Sequence, residues 1–229
     1  MAKILTTAIV ADIRNKLNGS VFSKNRYGGY VRTKVTPVNP QSTAQQNVRN
    51  RLSTNSQAWR GLSAADRQSW IDAAPSFPFT DIYGNIKILS GNALYVKFNN
   101  NLAQLGIAAI STAPTPVAIP QLQLGALSAA AGAGTLTLAF TPTPVPADFE
   151  LVIMATGNVG PGISFVKNRY RFIVAKDAAA TSPADIAAAW AAVHGTMIAG
   201  EQIFVQCFFV SKTTGQAGIP VATSAIIAA

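Results

Sequence analysis

One cysteine and one histidine in 229 residues remove most metal and nucleophile chemistry at the outset. Thiolate zinc sites need several cysteines and imidazole sites several histidines, so Cys207 and His194 can build neither. A Ser–His–Asp triad would have to use His194. That residue closes an alanine-rich stretch, where a capping or solvent-facing histidine is the ordinary role. Cys207 sits in the apolar run IFVQCFFV and reads as a buried, reduced thiol of a chain folded in a reducing compartment. A phosphate loop is missing as well: GNVGPG at 157–162 lacks the Lys-Ser/Thr that should follow. The nine carboxylates are scattered singly and form no acid–base pair. The chain is expected to be no enzyme and to need no cofactor or metal.

Charge is scarce too. Charged residues make up 12% of the chain, about half the usual share, against 49% hydrophobic residues. Disorder needs the opposite balance. No run reaches the roughly 18 to 20 apolar residues that span a bilayer, so no membrane partner is expected. The opening MAKILTTAIVADIRNK has one lysine and a short apolar patch, but Asp12 and Arg14 follow at once, unlike a signal peptide.

What charge there is lies unevenly. Residues 1–100 carry 13 of the 18 Lys and Arg against four acids, a balance of +9. Residues 101–229 carry five of each sign and balance to zero. The excess of the front half either favours an acidic or polyanionic partner or serves solubility alone.

In chain order, residues 4–10 read as a short strand or an extended arm. Residues 21–23 and 30–35 read as two strands of a hairpin turned through Asn25-Arg26-Tyr27-Gly28-Gly29. Alternation places Tyr30, Arg32 and Lys34 on one face and Val31, Thr33 and Val35 on the other, a basic, aromatic face backed by an apolar one. The connector TPVNP at 36–40 is stiffened by two prolines.

Ser42 with Gln45 resembles a capping box and opens a helix to about Arg60, with Val48, Leu52, Asn55 and Trp59 as a narrow inner stripe. Ser63 with Asp66 caps a second helix, whose inward candidates are Ala65, Trp70 and Ala74. Trp59, Leu62 and Trp70 then form a small common core, with a nucleobase-stacking platform as the alternative use of the tryptophans. Residues 81–89 read as a tight hairpin turning at Gly84-Asn85. A third helix runs from about Ser90 to Gly106, with Leu94, Phe98, Leu102 and Leu105 on one face.

STAPTPVAIP at 111–120 reads as a stiff linker. Beyond it, strands are expected at 122–127, 135–140, 149–156, 170–176, 202–211 and 221–227, about seven in a region of some 110 residues. A short helix over 182–194, started by Ser182-Pro183, interrupts them and would pad one edge or end. The fold expected is an α+β region of β-hairpins and a helical hairpin, followed by an all-β immunoglobulin- or fibronectin-like sandwich with one inserted helix. The domain division is a docking domain over 1–110, the linker over 111–120 and the sandwich over 121–229. FSKNRY at 22–27 is echoed by FVKNRY at 165–170. A coincidence or a shared turn preference accounts for this; a functional echo would mean that both patches touch the same kind of partner.

The hairpin VFSKNRYGGYVRTK, the connector PVNPQSTAQ and the helical text QAWRGLSAADRQSWIDAA together resemble N-terminal segments of structural proteins of tailed bacteriophages. The resemblance covers under a third of the chain. It implies a virion component, assembled in the host cytoplasm, that carries an immunoglobulin-like module and meets other virion proteins, copies of itself or an acidic neighbouring subunit. The residues expected to bind are Arg14, Lys16, Lys24, Arg26, Tyr27, Tyr30, Arg32, Lys34, Arg49 and Arg51. DNA binding through the cations of this same set is the alternative. A carbohydrate-binding module would rest on the sandwich alone.

Overall fold

In a computed structural model, residues 2–4, 12–36, 38–39, 41–81 and 83–229 are described. The protein is mixed α+β and mostly β, with four α-helices and several antiparallel sheets among these residues. It divides into two compact units, Met1–Asn50 with Pro78–Ile88, and Arg51–Phe77 with Leu89–Ala229. The proline-rich segment at 111–120 therefore lies inside the second unit.

The first unit is built on a four-stranded antiparallel sheet of β1 (Ala2–Ile4), β2 (Asn15–Leu17), β3 (Ser20–Asn25) and β4 (Gly28–Thr33), ordered β1-β4-β3-β2. The hairpin β3–β4 is the one expected, turned at Arg26-Tyr27 with Gly28 at φ +112°. Its outer partners were not expected. β2 follows from the Asn18-Gly19 turn, and β1 joins the far edge at Ala2–Ile4. The remainder of the strand or arm expected over 4–10 lies outside the described residues, as do Pro37 and Pro40 of the connector.

α1 (Thr43–Gly61) starts where Ser42 Oγ accepts from Gln45 N–H at 3.4 Å, but Gln45 Oε1 makes no return bond. Only the lower half of its expected stripe is inward. Asn55 is buried and Trp59 half-buried, whereas Val48 and Leu52 are exposed. The reason is tertiary: Asn55 Nδ2 donates to Asn100 Oδ1 at 2.8 Å, which draws that turn inward. In α2 (Ala64–Ala73), Ser63 Oγ accepts from Asp66 N–H; Trp70 is fully buried and Ala74 beyond it is buried, but Ala65 is exposed.

β5 (Phe79–Thr80) and β6 (Ile86–Lys87) form the expected hairpin, drawn tight by Asp81, which accepts from Tyr83 and Asn85 N–H. α3 (Gly91–Gln104), capped by Ser90, buries Leu94, Tyr95, Phe98, Asn99 and Leu102. Trp59, Leu62, Trp70 and α3 share one core, with Trp70 edge-on to Tyr95 at 5.3 Å.

The rest of the second unit has two antiparallel sheets. One contains β7 (Gln123–Ala130), β8 (Thr135–Thr141) and β11 (Ala184–Asp185), in the order β11-β8-β7. The other contains β9 (Phe149–Ala155), β10 (Arg171–Lys176), β12 (Gln202–Ser211) and β13 (Val221–Ile226), in the order β10-β9-β12-β13. Leu136, Leu138 and Phe140 of the first sheet share a buried cluster with Leu151, Ile153, Val205, Cys207 and Phe209 of the second. The arrangement is compatible with a β-sandwich.

The helix expected over 182–194 is shorter. Residues 184–185 pair with β8, and α4 covers only Ala187–His194. Ladder bonds win over alanine propensity because Ser182 Oγ accepts from Phe140 N–H and Ile186 N–H donates to Leu136 O. Trp190 fixes α4 against the core through Nε1–H to Thr156 O at 2.8 Å.

The segment at 111–120, read as a linker, is tied to the second unit at several points. Ser111 O accepts from Trp70 Nε1, Ala113 N–H donates to Ser69 Oγ, and Val117 N–H donates to Gln216 Oε1. Gly215, at φ +72°, passes so close to the Phe98 carbonyl that any side chain there would collide with it.

Candidate interaction surface

Register decides which cations share a surface. In the N-terminal sheet Lys16, Val21 and Arg32 stand opposite one another on neighbouring strands, and so do Ser23, Tyr30 and Lys3. These two rows lie two residues apart, hence on the same face. Lys34 N–H donates to Gly19 O and carries that register one step further, so Lys34 joins the face. The other face holds Phe22 against Val31, Leu17 with Ser20 and Thr33, and Lys24 beside Gly29.

The ten expected binding residues therefore separate. Lys16, Tyr30, Arg32 and Lys34 come together on one face; Lys24 points to the other. Arg26 stands exposed at the turn. Tyr27 is half-buried, edge-on to Phe79 at 5.9 Å. Arg14 is engaged by Asp12, Nε to Oδ2 at 2.7 Å. Arg49 donates to Asn39 Oδ1 at 2.9 Å. Arg51 is half-buried and belongs to the second unit.

Lys3 was missed. Its ammonium lies 2.6 Å from Asp81 Oδ2, and that contact, with desolvation opposing it and the Tyr83 and Asn85 bonds assisting, holds the Asp81 carboxyl well below its ordinary range. No local signal could have found a pair 78 residues apart.

Two properties of this unit stand out. It carries nine Lys and Arg against two Asp, a balance of +7. No described apolar residue of the unit is buried, while Ile13, Leu17, Val35, Val38, Val48, Tyr83, Ile86 and Ile88 are exposed. The tryptophans, by contrast, are committed to packing. Trp70 and Trp190 are fully buried and Trp59 lies against Tyr95 at 5.4 Å, so none is a base-stacking platform.

His194 is half-buried rather than solvent-facing: it packs on Trp190 at 5.4 Å with Nε2 3.2 Å from Ala155 O. Burial lowers its pKa, as a base deprived of solvent favours the neutral form. Cys207 is fully buried and burial pushes its thiol far up. Among the described residues no three His, Cys, Asp or Glu side chains are gathered, and no helix is long and apolar enough to cross a membrane.

The two KNRY texts adopt different backbones. Residues 22–25 lie in β3 and the chain turns at Arg26-Tyr27, whereas 165–170 form an irregular loop that turns at residues 167–169. The echo in sequence is therefore not an echo in backbone. No family model, curated protein or solved structure matches the chain.

Proposed function

We propose that this protein is a non-enzymatic structural component of a bacteriophage virion, docked through the face of its N-terminal sheet that carries Lys16, Arg32, Lys34 and Tyr30 onto an acidic neighbouring subunit. The observation that carries this reading is the pairing of a +7 balance with a unit in which no described apolar residue is buried. A small sheet with no buried apolar residue among those described gains little to offset the entropy of ordering its chain. The carboxylates of a partner surface meet the cations of this face. Like charge argues against a second copy of the same face as the occupant.

The two-sheet region supports the reading through its strand order. Its seven strands divide so that the first, second and fifth form one sheet and the fourth, third, sixth and seventh the other. That division favours an immunoglobulin- or fibronectin-like module, the kind expected from the resemblance to phage structural proteins.

The test is co-sedimentation of the protein with purified particles after nuclease treatment. Retention that survives nuclease and is lost in the Lys16→Glu/Arg32→Glu variant supports the reading. Absence from particles ends it. Retention on bare double-stranded DNA, falling steeply with salt, transfers the same cations to the DNA-binding alternative.

A further inference from the structure

The two-sheet region of the second unit has unlike ends. Ala155 pairs with Arg171 at one end of β9, and Phe149 with Ser211 at the other. At the Ala155 end, the loop between β9 and β10 is anchored by buried Val166 and closed by Arg169 N–H to Val166 O at 2.8 Å. Beside that anchor Phe165 projects outward, 74% exposed, with Ile163 nearby in the loop and exposed Lys167, Arg169 and Arg171 following. At the Phe149 end, an apolar groove of about 520 Å³ opens between residues 119–122 and 216–221. Ile119, Pro120, Leu122, Phe209, Ile219 and Val221 line it, and no charged side chain does. Ile219 on its rim is 86% exposed.

We propose that these two ends are the halves of one head-to-tail contact, in which Phe165 of one copy enters the groove of a second copy of this chain. Three features fit a second copy rather than an unrelated partner. An exposed aromatic knob and an uncharged apolar groove of ample size for its ring occur on the same body. They occupy opposite ends, so the contact does not consume its own partner surface and repeats from copy to copy. The charges also oppose: three of the five cations after residue 100, Lys167, Arg169 and Arg171, sit at the knob end with Glu201, and three of the five carboxylates, Asp148, Glu150 and Asp177, at the groove end with Lys176 and Lys212. Such a contact closes into a ring or grows as a filament, according to the rotation between copies. It is independent of the docking of the N-terminal sheet.

The experiment is sedimentation velocity on the full chain over a wide concentration range, with Phe165→Ser and Ile219→Lys. Both positions lie on open surface, so unchanged melting curves are expected. The wild type should self-associate, and each variant alone should weaken association roughly thirtyfold or more, as for a central anchor. A one-to-one mixture of the two variants has one intact knob and one intact groove and should form a dimer that grows no further. Lys167→Glu/Arg169→Glu, which leaves the apolar surfaces untouched, should weaken association at low salt. A wild type monomeric throughout overturns the proposal. So does association that persists in both single variants, or a mixture that fails to dimerise. Loss of association on charge reversal at Lys16 and Arg32 instead would assign self-association to the N-terminal sheet and overturn it equally.

Discussion

Asn99 holds Ile110 by both of its peptide groups: Oδ1 accepts the Ile110 N–H at 2.8 Å, and Nδ2 donates to the Ile110 C=O at 3.2 Å. Asn99 is fully buried on α3. A proline-rich stretch has no ladder of its own, so side chains of α2 and α3 take up the backbone groups of residues 110, 111 and 113.

Asn99→Ala leaves both Ile110 groups without their partner in a closed site. A loss of about 2–4 kcal/mol is expected, read from urea unfolding as a lower midpoint with unchanged slope.

His194 gives the second unit a pH dependence near neutrality. Burial depresses its folded pKa below the ordinary 6.5; the Ala155 bond opposes this and Arg171 adds to it. The unfolded chain thus binds a proton at a higher pH than the folded protein does. Stability is complete above about pH 6.5 and falls as pH drops from there towards the folded value, where the loss levels off. His194→Gln should flatten that slope in unfolding curves across this range.

Asp81 acts at lower pH in the first unit. With its folded pKa held down by Lys3, its stabilising contribution is present above the ordinary value of 3.8 and is lost as pH falls towards the folded value. Asp81→Asn should remove this acid step and speed hydrogen exchange at the β1–β4 pairing, with exchange in β12 unchanged.

Cys207 reports opening of the two-sheet core. Fully buried and with its thiol held protonated, it should ignore a disulfide reagent in the native protein and react as the core unfolds. Rapid labelling under native conditions would contradict its place between the sheets.

The two faces of the N-terminal sheet should differ in effect. Lys16→Glu with Arg32→Glu is expected to cut particle association at least tenfold, while Lys24→Glu on the opposite face leaves it within about twofold. Quantitative co-sedimentation at low and high salt distinguishes them.

Elements whose cause is local were readable in advance. The β3–β4 hairpin follows from its turn, α2 and α3 from Ser63 and Ser90, and the strands from alternation such as Leu136, Leu138 and Phe140 facing inward. The four residues that share the basic face followed in part: Tyr30, Arg32 and Lys34 are two apart on one strand, but Lys16 joins them only through the β2–β3 register. Val48 and Leu52 carry a helical apolar spacing identical to that of Asn55 and Trp59, yet they stay open.

The sequence alone determined where charge is concentrated, where chain direction turns and which stretches alternate, because each depends on residues within a few positions of one another. The tertiary structure alone decided that Lys3 meets Asp81, that residues 184–185 join β8 instead of a helix, and that residues 111, 113 and 117 are hydrogen-bonded to side chains elsewhere in the unit. In each of these the partner lies tens of residues away, and a contact at that range is set by packing and register, which no local pattern encodes.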